Sequence, residues 1–351
     1  MEREALSLRD DRGKGMRVSI ACVCLNEREN LKELLRSIER QDYPHNLVEI
    51  ILIDSMSNDE SYELMCEFAH SHNDFYSIQV HKNPQEFLSA GINEAIRVFT
   101  GECLIRLDAH CSIPTNFVSN NVQVLNETQK LVVGGRRASV AAGKSGWKYT
   151  LLAAYESFSS SIVASLSKFS VAHAVDHLYH VCIRREVFEK VGYFDERLKR
   201  AEDKEFFYRL HTAGIEVWFD PRIVSYQKVK SDFLSLMVQC YNNGLWIGVL
   251  ERLNPPAVKF YHLMPLCFFG IFLLLLLIAF VWKMYKPLYF FLGNYLTFAS
   301  ALSIIAASEV RFKSWHLLSL PFLFTLMHIL YATGSLWGML KALFTSKIKH
   351  K

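Results

Sequence analysis

No CxxC or CxH spacing occurs among the eight cysteines of this 351-residue chain. Neither a disulfide framework nor a zinc site is therefore indicated, and the thiols read as reduced core side chains. Glycine-rich phosphate loops are missing as well. Neither G-x-G-x-x-G nor G-x-x-x-x-G-K-[ST] follows the first apolar strand, which disfavours dinucleotide and P-loop sites. Met1–Met16 alternates in charge and lacks the apolar h-region of a signal peptide. We expect a disordered leader over 1–16, with Met16 an alternative start, and a front half that stays in the cytoplasm. Acidic residues nearly vanish from the last quarter of the chain. From Tyr261 to Lys351, Glu309 alone stands against Lys283, Lys286, Arg311, Lys313, Lys341, Lys347, Lys349 and Lys351. That stretch carries +7, the first 260 residues −3 and the whole chain +4. A slightly acidic front lacks the basic footprint of a nucleic-acid-binding domain. What is abundant is apolar: 51% hydrophobic and 13% aromatic residues exclude disorder for most of the chain. The length allows about two domains.

Three long uncharged runs fill the tail. The first lies between Lys259 and Lys283 and includes Phe268–Phe280, FFGIFLLLLLIAF; the others are Pro287–Ser308 and Ser314–Leu340. Each exceeds the roughly 18 apolar residues at which a spanning helix is expected. Backbone polar groups must be bonded internally in hydrocarbon, so these runs should be helices. Three spans would put the Lys-rich end on the far side of the membrane, against the positive-inside bias. Either one run is re-entrant or the bias is broken; the sequence leaves both open.

The front half alternates short β-rich runs with helical periods. Val18–Cys24 (VSIACVC) reads as a strand, and behind it Asn26 can cap a helix with Leu31, Leu34, Leu35 and Ile38 on one face. Strand Glu49–Ile53, a helix bearing Leu64, Met65 and Phe68, strand Ser77–His81, helix Ser89–Phe99 and strand Cys103–Leu107 follow. Pro114 marks the start of a further helix, and Leu131–Val133 opens the next strand. This alternation predicts βαβ units and a parallel sheet covered on both faces. In such sheets ligands bind beyond the carboxyl ends of the strands.

Those ends are rich in carboxylates. Asn26-Glu27 follows the first strand, Asp54 to Asp59 the second, and Asp108-Ala109-His110 the fourth. Singly, Asn26 or Asp59 reads equally as a helix cap. Jointly, three such clusters at one edge point to a ligand. With no glycine-rich loop, a phosphate ligand would need a metal, and Asp108 with His110 offers a carboxylate and an imidazole to a divalent cation.

The succession CLNE, IDSMSND, SAGINEAI, TGECLIRLDAH and CIRREVFEKVGYFDERLKRAED resembles family 2 glycosyltransferases of the GT-A fold, over roughly Arg17 to Leu250. Within that family it is similar to bacterial exopolysaccharide enzymes of the succinoglycan type, which also carry D-A-H and C-terminal membrane helices. The resemblance implies an α/β, Rossmann-like, mostly parallel sheet with helices on both faces, followed by transmembrane helices. It implies that Asn26 and Glu27 line a nucleotide-sugar pocket, that Asp54 bonds the base, usually uracil, and that Asp59 supports that loop. Asp108 should lie near the ribose and metal, with His110 at the third position of D-x-D, where Asp is commoner. A neutral imidazole there removes one negative charge and should favour Mn²⁺ over Mg²⁺. Glu202-Asp203 falls at the family's E-D motif, with Asp203 the general base toward the acceptor hydroxyl and Glu202 its neighbour; a helix-capping pair is the bland reading.

The implied enzyme is an inverting transferase using a nucleotide-sugar, UDP-linked, with Mn²⁺ or Mg²⁺. Its acceptor would be a polyprenyl-diphosphate-linked saccharide, and it would act at the cytoplasmic face of the inner membrane in exopolysaccharide or envelope glycan assembly. The expected layout is a catalytic domain over 17–230, an amphipathic membrane-proximal segment over 231–259, two to three spans within 260–340 and a basic tail over 341–351. A processive synthase is one rival, weakened because Gln239-Cys240-Tyr241-Asn242-Asn243 stands where processive relatives carry Q-x-x-R-W. A non-catalytic scaffold that binds nucleotide-sugar or lipid is the other. Among weaker signals, His173 and His177 would share a helical face near His180, read as packing or acceptor contacts rather than a metal site. Gly134-Gly135-Arg136-Arg137 should end a strand, its arginines reaching phosphate or solvent.

Overall fold

A computed structural model of the chain describes residues 15–141, 143, 145–159, 170–229, 232–310 and 313–345. The expected leader, apart from its last two residues, and the 346–351 part of the basic tail lie outside the described residues. The chain divides into two compact units. The first draws on residues 1–138, 170–194 and 209–227, the second on 139–169, 195–208 and 228–351.

The first unit is built on a sheet ordered β3-β2-β1-β4-β8-β6-β9-β5, with β7 also pairing β9. Strands β1 (Val18–Cys24), β2 (Val48–Asp54), β3 (Ser77–Lys82) and β4 (Cys103–Asp108) are parallel to one another. Helices α1 (Arg28–Glu39), α2 (Ser61–Ser71) and α3 (Leu88–Val98) make the crossovers. Beyond β4 the sheet turns mixed. β5 (Cys111–Ser112), helix α4 (Phe117–Thr128), β6 (Val132–Ala141), β7 (His173–Val175), β8 (Cys182–Arg184), helix α6 (Arg185–Val191) and β9 (Val217–Val229) follow, β8 running antiparallel to β4 and β9 antiparallel to β5 and β7. Helix α5 (Gly146–Ser159) comes between β6 and β7 in the chain.

Leu31, Leu34, Leu35 and Ile38 of α1 are all buried against Ile20, Cys22, Ile50 and Leu52 of the sheet, as the 3.6 period requires. Each such side chain contributes about 1.5–3 kcal/mol by leaving water. All seven residues of β2 are buried, Glu49 included. Its carboxylate accepts hydrogen bonds from Ser19 Oγ at 2.5 Å, Thr100 N at 2.7 Å and Thr100 Oγ1 at 3.0 Å. These satisfy a charge that would otherwise be prohibitive in the core, and they tie the amino ends of three strands.

Three local readings are corrected. Asn26 does not cap α1: Glu27 holds that position, and Asn26 sits in the left-handed region with its side chain engaged elsewhere. His173 lies in the short strand β7 rather than on a helix shared with His177, because Val217, Trp218 and Phe219 supply a β partner. Gly134–Arg137 lies inside β6 instead of ending it. A Cβ on Gly135 would sit 2.6 Å from the Asp220 carbonyl oxygen, so glycine there permits close strand approach.

In the second unit, helix α7 (Glu202–Thr212) begins and α8 (Phe233–Leu253), α9 (Phe260–Trp282), α10 (Lys286–Glu309) and α11 (Leu320–Thr345) follow. Among the described residues three helical segments are long and apolar enough to cross a membrane: Phe260–Trp282, Lys286–Glu309 and Trp315–Leu343. Helices α8 and α11 meet backbone to backbone. A Cβ on Gly244 would crowd Tyr331, one on Gly248 would crowd Ser335 and Met339, and those on Gly334 and Gly338 would crowd Tyr241 and Leu245. Small residues at i and i+4 on both helices allow this approach.

Candidate active site

Parallel pairing sets Cys24 beside Asp54 and Val23 beside Asp108, so the carboxyl ends of β1, β2 and β4 form one edge. The residues that leave those strands share that edge. Asp54 is buried and accepts from Ser57 N at 3.2 and 3.3 Å on its two oxygens, which bends the chain into a tight loop after β2. Asn26 is exposed there; its N–H donates to Ser57 Oγ at 3.0 Å and its Oδ1 accepts from Asn58 N at 2.8 Å. Glu27 Oε2 accepts from Asn30 at 2.6 Å.

Asp59 joins the two loops. Its Oδ2 accepts from Arg28 N at 3.0 Å, and its Oδ1 accepts from Ser61 N at 3.2 Å and Ser61 Oγ at 2.5 Å. Burial pushes this carboxyl up, but the hydrogen bonds from Ser61 and Arg28 reverse that and hold it below the ordinary carboxylate range. Asn26, Met56 and Glu60 all adopt positive φ in these loops. Non-glycine residues in that conformation cost about 1–2 kcal/mol each, a cost that tightly hydrogen-bonded, ligand-facing loops commonly carry.

The second cluster surrounds Asp108. His180 Nε2 lies 3.3 Å from Asp108 Oδ2, and His180 Nδ1 lies 2.8 Å from Ser225 Oγ. Arg106 Nη2 is 3.6 Å from Asp108 Oδ1. Burial raises the Asp108 carboxyl, yet the His180 hydrogen bond and the nearby Arg106 guanidinium more than offset it, holding the group well below the usual range. Burial is the largest influence on His180 and lowers its imidazole. His180 is therefore neutral, donating from Nε2 to Asp108 and accepting from Ser225 at Nδ1.

Gln227 completes this cluster, and no sequence motif marks it. Register places it opposite Cys111, next to His110. Its Nε2 donates to His110 Nε2 at 2.6 Å and approaches Asp108 Oδ2 at 3.4 Å. The His110 Nε2 lone pair is thus taken up by the Gln227 amide hydrogen. Gln227 Oε1 is buried without a hydrogen-bond partner among the described residues. Among those residues no three His, Cys, Asp or Glu side chains gather to hold a metal ion. The Asp108 carboxylate is nevertheless a hard oxygen donor suited to Mn²⁺ or Mg²⁺ once substrate oxygens are added, and a turn of the Gln227 amide would free His110 Nε2 and present Oε1 beside it.

In the second unit, Glu202 is buried and Asp203 half-buried at the first turn of α7. Ala201 before them takes positive φ, turning the chain sharply into the helix. Asp203 Oδ1 accepts from Lys204 N at 2.8 Å, and Asn254 Nδ2 lies 3.4 Å from Glu205 Oε1. Two carboxylates at a helix N-terminus are favoured by its dipole.

The family model described as "Glycosyl transferase family 2" matches residues 19–192. The chain is 26% identical to the succinoglycan biosynthesis protein ExoA of Rhizobium meliloti over 254 residues, 70% of this chain and 74% of that protein. It is 24% identical to a dolichyl N-acetyl-alpha-D-glucosaminyl phosphate 3-beta-D-2,3-diacetamido-2,3-dideoxy-beta-D-glucuronosyltransferase of Methanococcus voltae, over 94% of this chain and 99% of that one. Among solved structures, a mannosyltransferase of Pyrobaculum calidifontis in complex with GDP-Man and Mn²⁺ superposes with a TM-score of 0.53 at 18% identity, covering 99% of this chain and 94% of the other.

Proposed function

The chain is a family 2 glycosyltransferase with a GT-A-like fold, and we propose that it transfers one sugar, with inversion, from a nucleotide-diphosphate sugar to a lipid-linked saccharide at a membrane surface. The observation that carries this reading is the convergence of Asn26, Asp54, Asp59, Asp108 and His110 on the carboxyl edge of three adjacent parallel strands. Asn26, Glu27 and Asp54 would line the nucleotide pocket, with Asp54 toward the base. Asp59 would hold the two loops in register.

Asp108 and His110 would hold a divalent cation, joined by Gln227 Oε1, and a bound cation would neutralise charge on the diphosphate leaving group. Asp203 would take the proton from the acceptor hydroxyl as that oxygen attacks C1 and the bond from C1 to the diphosphate oxygen breaks. Glu202 would sit beside it in the acceptor pocket. A base so placed typically contributes 10²–10⁴-fold.

A UDP-sugar donor, a polyprenyl-diphosphate-linked acceptor and a catalytic domain on the cytoplasmic side of the inner membrane are the finer terms of the proposal. They are supported by the ExoA likeness, by the dolichyl phosphate saccharide named in the Methanococcus enzyme's description and by three apolar helices able to cross a bilayer. Exopolysaccharide or envelope glycan assembly is the fitting pathway. Anchoring enzyme and lipid acceptor to one surface raises their effective concentration.

The test is nucleotide release by detergent-purified protein offered UDP-sugars and GDP-mannose, Mn²⁺ or Mg²⁺, and a lipid extract. Release that depends on one sugar, on metal and on Asp203 supports the proposal. Donor binding without release under any acceptor supports the scaffold reading instead, and no donor binding removes the nucleotide pocket.

A further inference from the structure

Helices α8 and α11 run in the same direction. Their contacts rise in number together: Gly244 meets Tyr331 and Gly248 meets Ser335, while Gly334 meets Tyr241 and Gly338 meets Leu245. Two helices locked at this register lie at the same depth, so either both cross the membrane or neither does. If both crossed in the same sense, the chain would have to recross an odd number of times between them. The segment between them holds two candidate spans, α9 and α10.

The other side of α8 supplies an independent constraint. Arg200 Nη1 donates to Asn243 Oδ1 at 2.8 Å, and Asn254 Nδ2 reaches Glu205 Oε1 at 3.4 Å. Leu198 and Ala201 share an apolar cluster with Leu245, Leu250 and Tyr331. The middle and the end of α8 are thus both fastened to the segment that carries Glu202 and Asp203. Helix α11 also packs on the α9–α10 hairpin, with Leu263 in the cluster of Tyr331, Leu302 and Ala306 in the cluster of Leu323 and Met327, and Tyr295 Oη 3.0 Å from His328 Nδ1.

Resting on the membrane attachment proposed above, we infer that the protein crosses the bilayer twice, through α9 and α10, and that α8 and α11 form a paired platform on the catalytic side. Burial agrees: 39% of the apolar window of Trp315–Leu343 is buried within the protein, against 6% for Phe260–Trp282 and 17% for Lys286–Glu309. The exposed residues of α11 include Phe322, Ile329, Leu336 and Leu343, seven apart, an apolar stripe suited to a lipid surface. Charge agrees as well. Two spans leave Lys283 and Lys286 outside and place Arg252, Lys259, Lys313 and Lys341, among the described residues, on the catalytic side. Three spans would carry Lys341 to the far side.

The test uses the full chain in a bacterial host, carrying Met284→Cys and either GFP or alkaline phosphatase at the C-terminus. Met284 is exposed in the turn between α9 and α10. The expected result is retention in membranes after alkaline carbonate, labelling of M284C by a membrane-impermeant maleimide at least fivefold above the parent protein on intact spheroplasts, bright GFP and inactive phosphatase. Labelled M284C with dark GFP and active phosphatase means three spans and overturns the inference while leaving the attachment intact. Carbonate-resistant protein whose M284C stays unlabelled until the membrane is opened overturns the two-span hairpin. Release by carbonate overturns the membrane attachment itself, and the inference with it.

Discussion

Gly248→Ala tests the backbone contact between α8 and α11, because two opposing effects of known size meet at one methyl group. In an isolated helix the change is favourable by about 0.8–1.0 kcal/mol, since glycine loses the most backbone freedom on folding. In place, the new Cβ would sit 2.8 Å from Met339 N and 3.0 Å from the Ser335 carbonyl carbon, closer still to its oxygen, where ordinary contact begins at 3.4 Å. Its neighbours are backbone atoms of a helix, so no rotamer can yield and the helices must part. Overpacking of this kind costs about 1–3 kcal/mol or more, which outweighs the propensity gain. Gly270→Ala in α9 is the control, because a Cβ there meets nothing within 4 Å and only the propensity gain applies. Thermal unfolding in one detergent should place G248A several degrees below the parent and G270A at or above it, at about 2–4 °C per kcal/mol. If G248A matches or exceeds G270A, the helices are not in backbone contact and the platform argument fails.

Other outcomes follow from the site. Asp203→Asn should lower turnover at least 10²-fold while donor binding by calorimetry stays within about threefold, because the base acts on the acceptor; a comparable loss of donor binding would remove Asp203 from that role. His110→Ala should raise the Mn²⁺ concentration for half-maximal activity and weaken Mn²⁺ binding seen by electron paramagnetic resonance, and an unchanged titration would take His110 out of the coordination sphere. Asp59→Ala removes the acceptor of three hydrogen bonds, two that shape its own loop and one from Arg28 N in the loop after β1, so the KM for donor should rise about tenfold or more with a smaller change in kcat. Equal KM in the variant would show the loops hold without it.

The carboxyl edge was legible because strand and ligand obey local rules. Val18–Cys24 reads as a strand from its apolar run and is one, and the four apolar residues of α1 all reach the core. Gln227 was not legible, since it reaches His110 across 117 residues of sequence through the pairing of β5 with β9. No period or motif encodes such a meeting. His173 misled for the opposite reason: a spacing of four suggests a helix face, yet a three-residue strand finds its partner elsewhere in the sheet. Glu202 and Asp203 were picked out through resemblance alone, as two adjacent acids at a helix start look like any favourable first turn. The glycines of α8 and α11 are visible in the sequence at four-residue intervals, but only the fold reveals that they face each other.

That pairing also sets an order of events during synthesis. Gly244 emerges from the ribosome nearly ninety residues before its partner Tyr331, which at about 5–20 residues per second is an interval of roughly 4–18 s. Within that interval the hairpin of α9 and α10 emerges and becomes available for insertion, while α8 has a bare strip of backbone and no helix to cover it. The platform is thus the last part of the described chain to close. A nascent chain halted before Tyr331 would leave the strip at Gly244 and Gly248 uncovered.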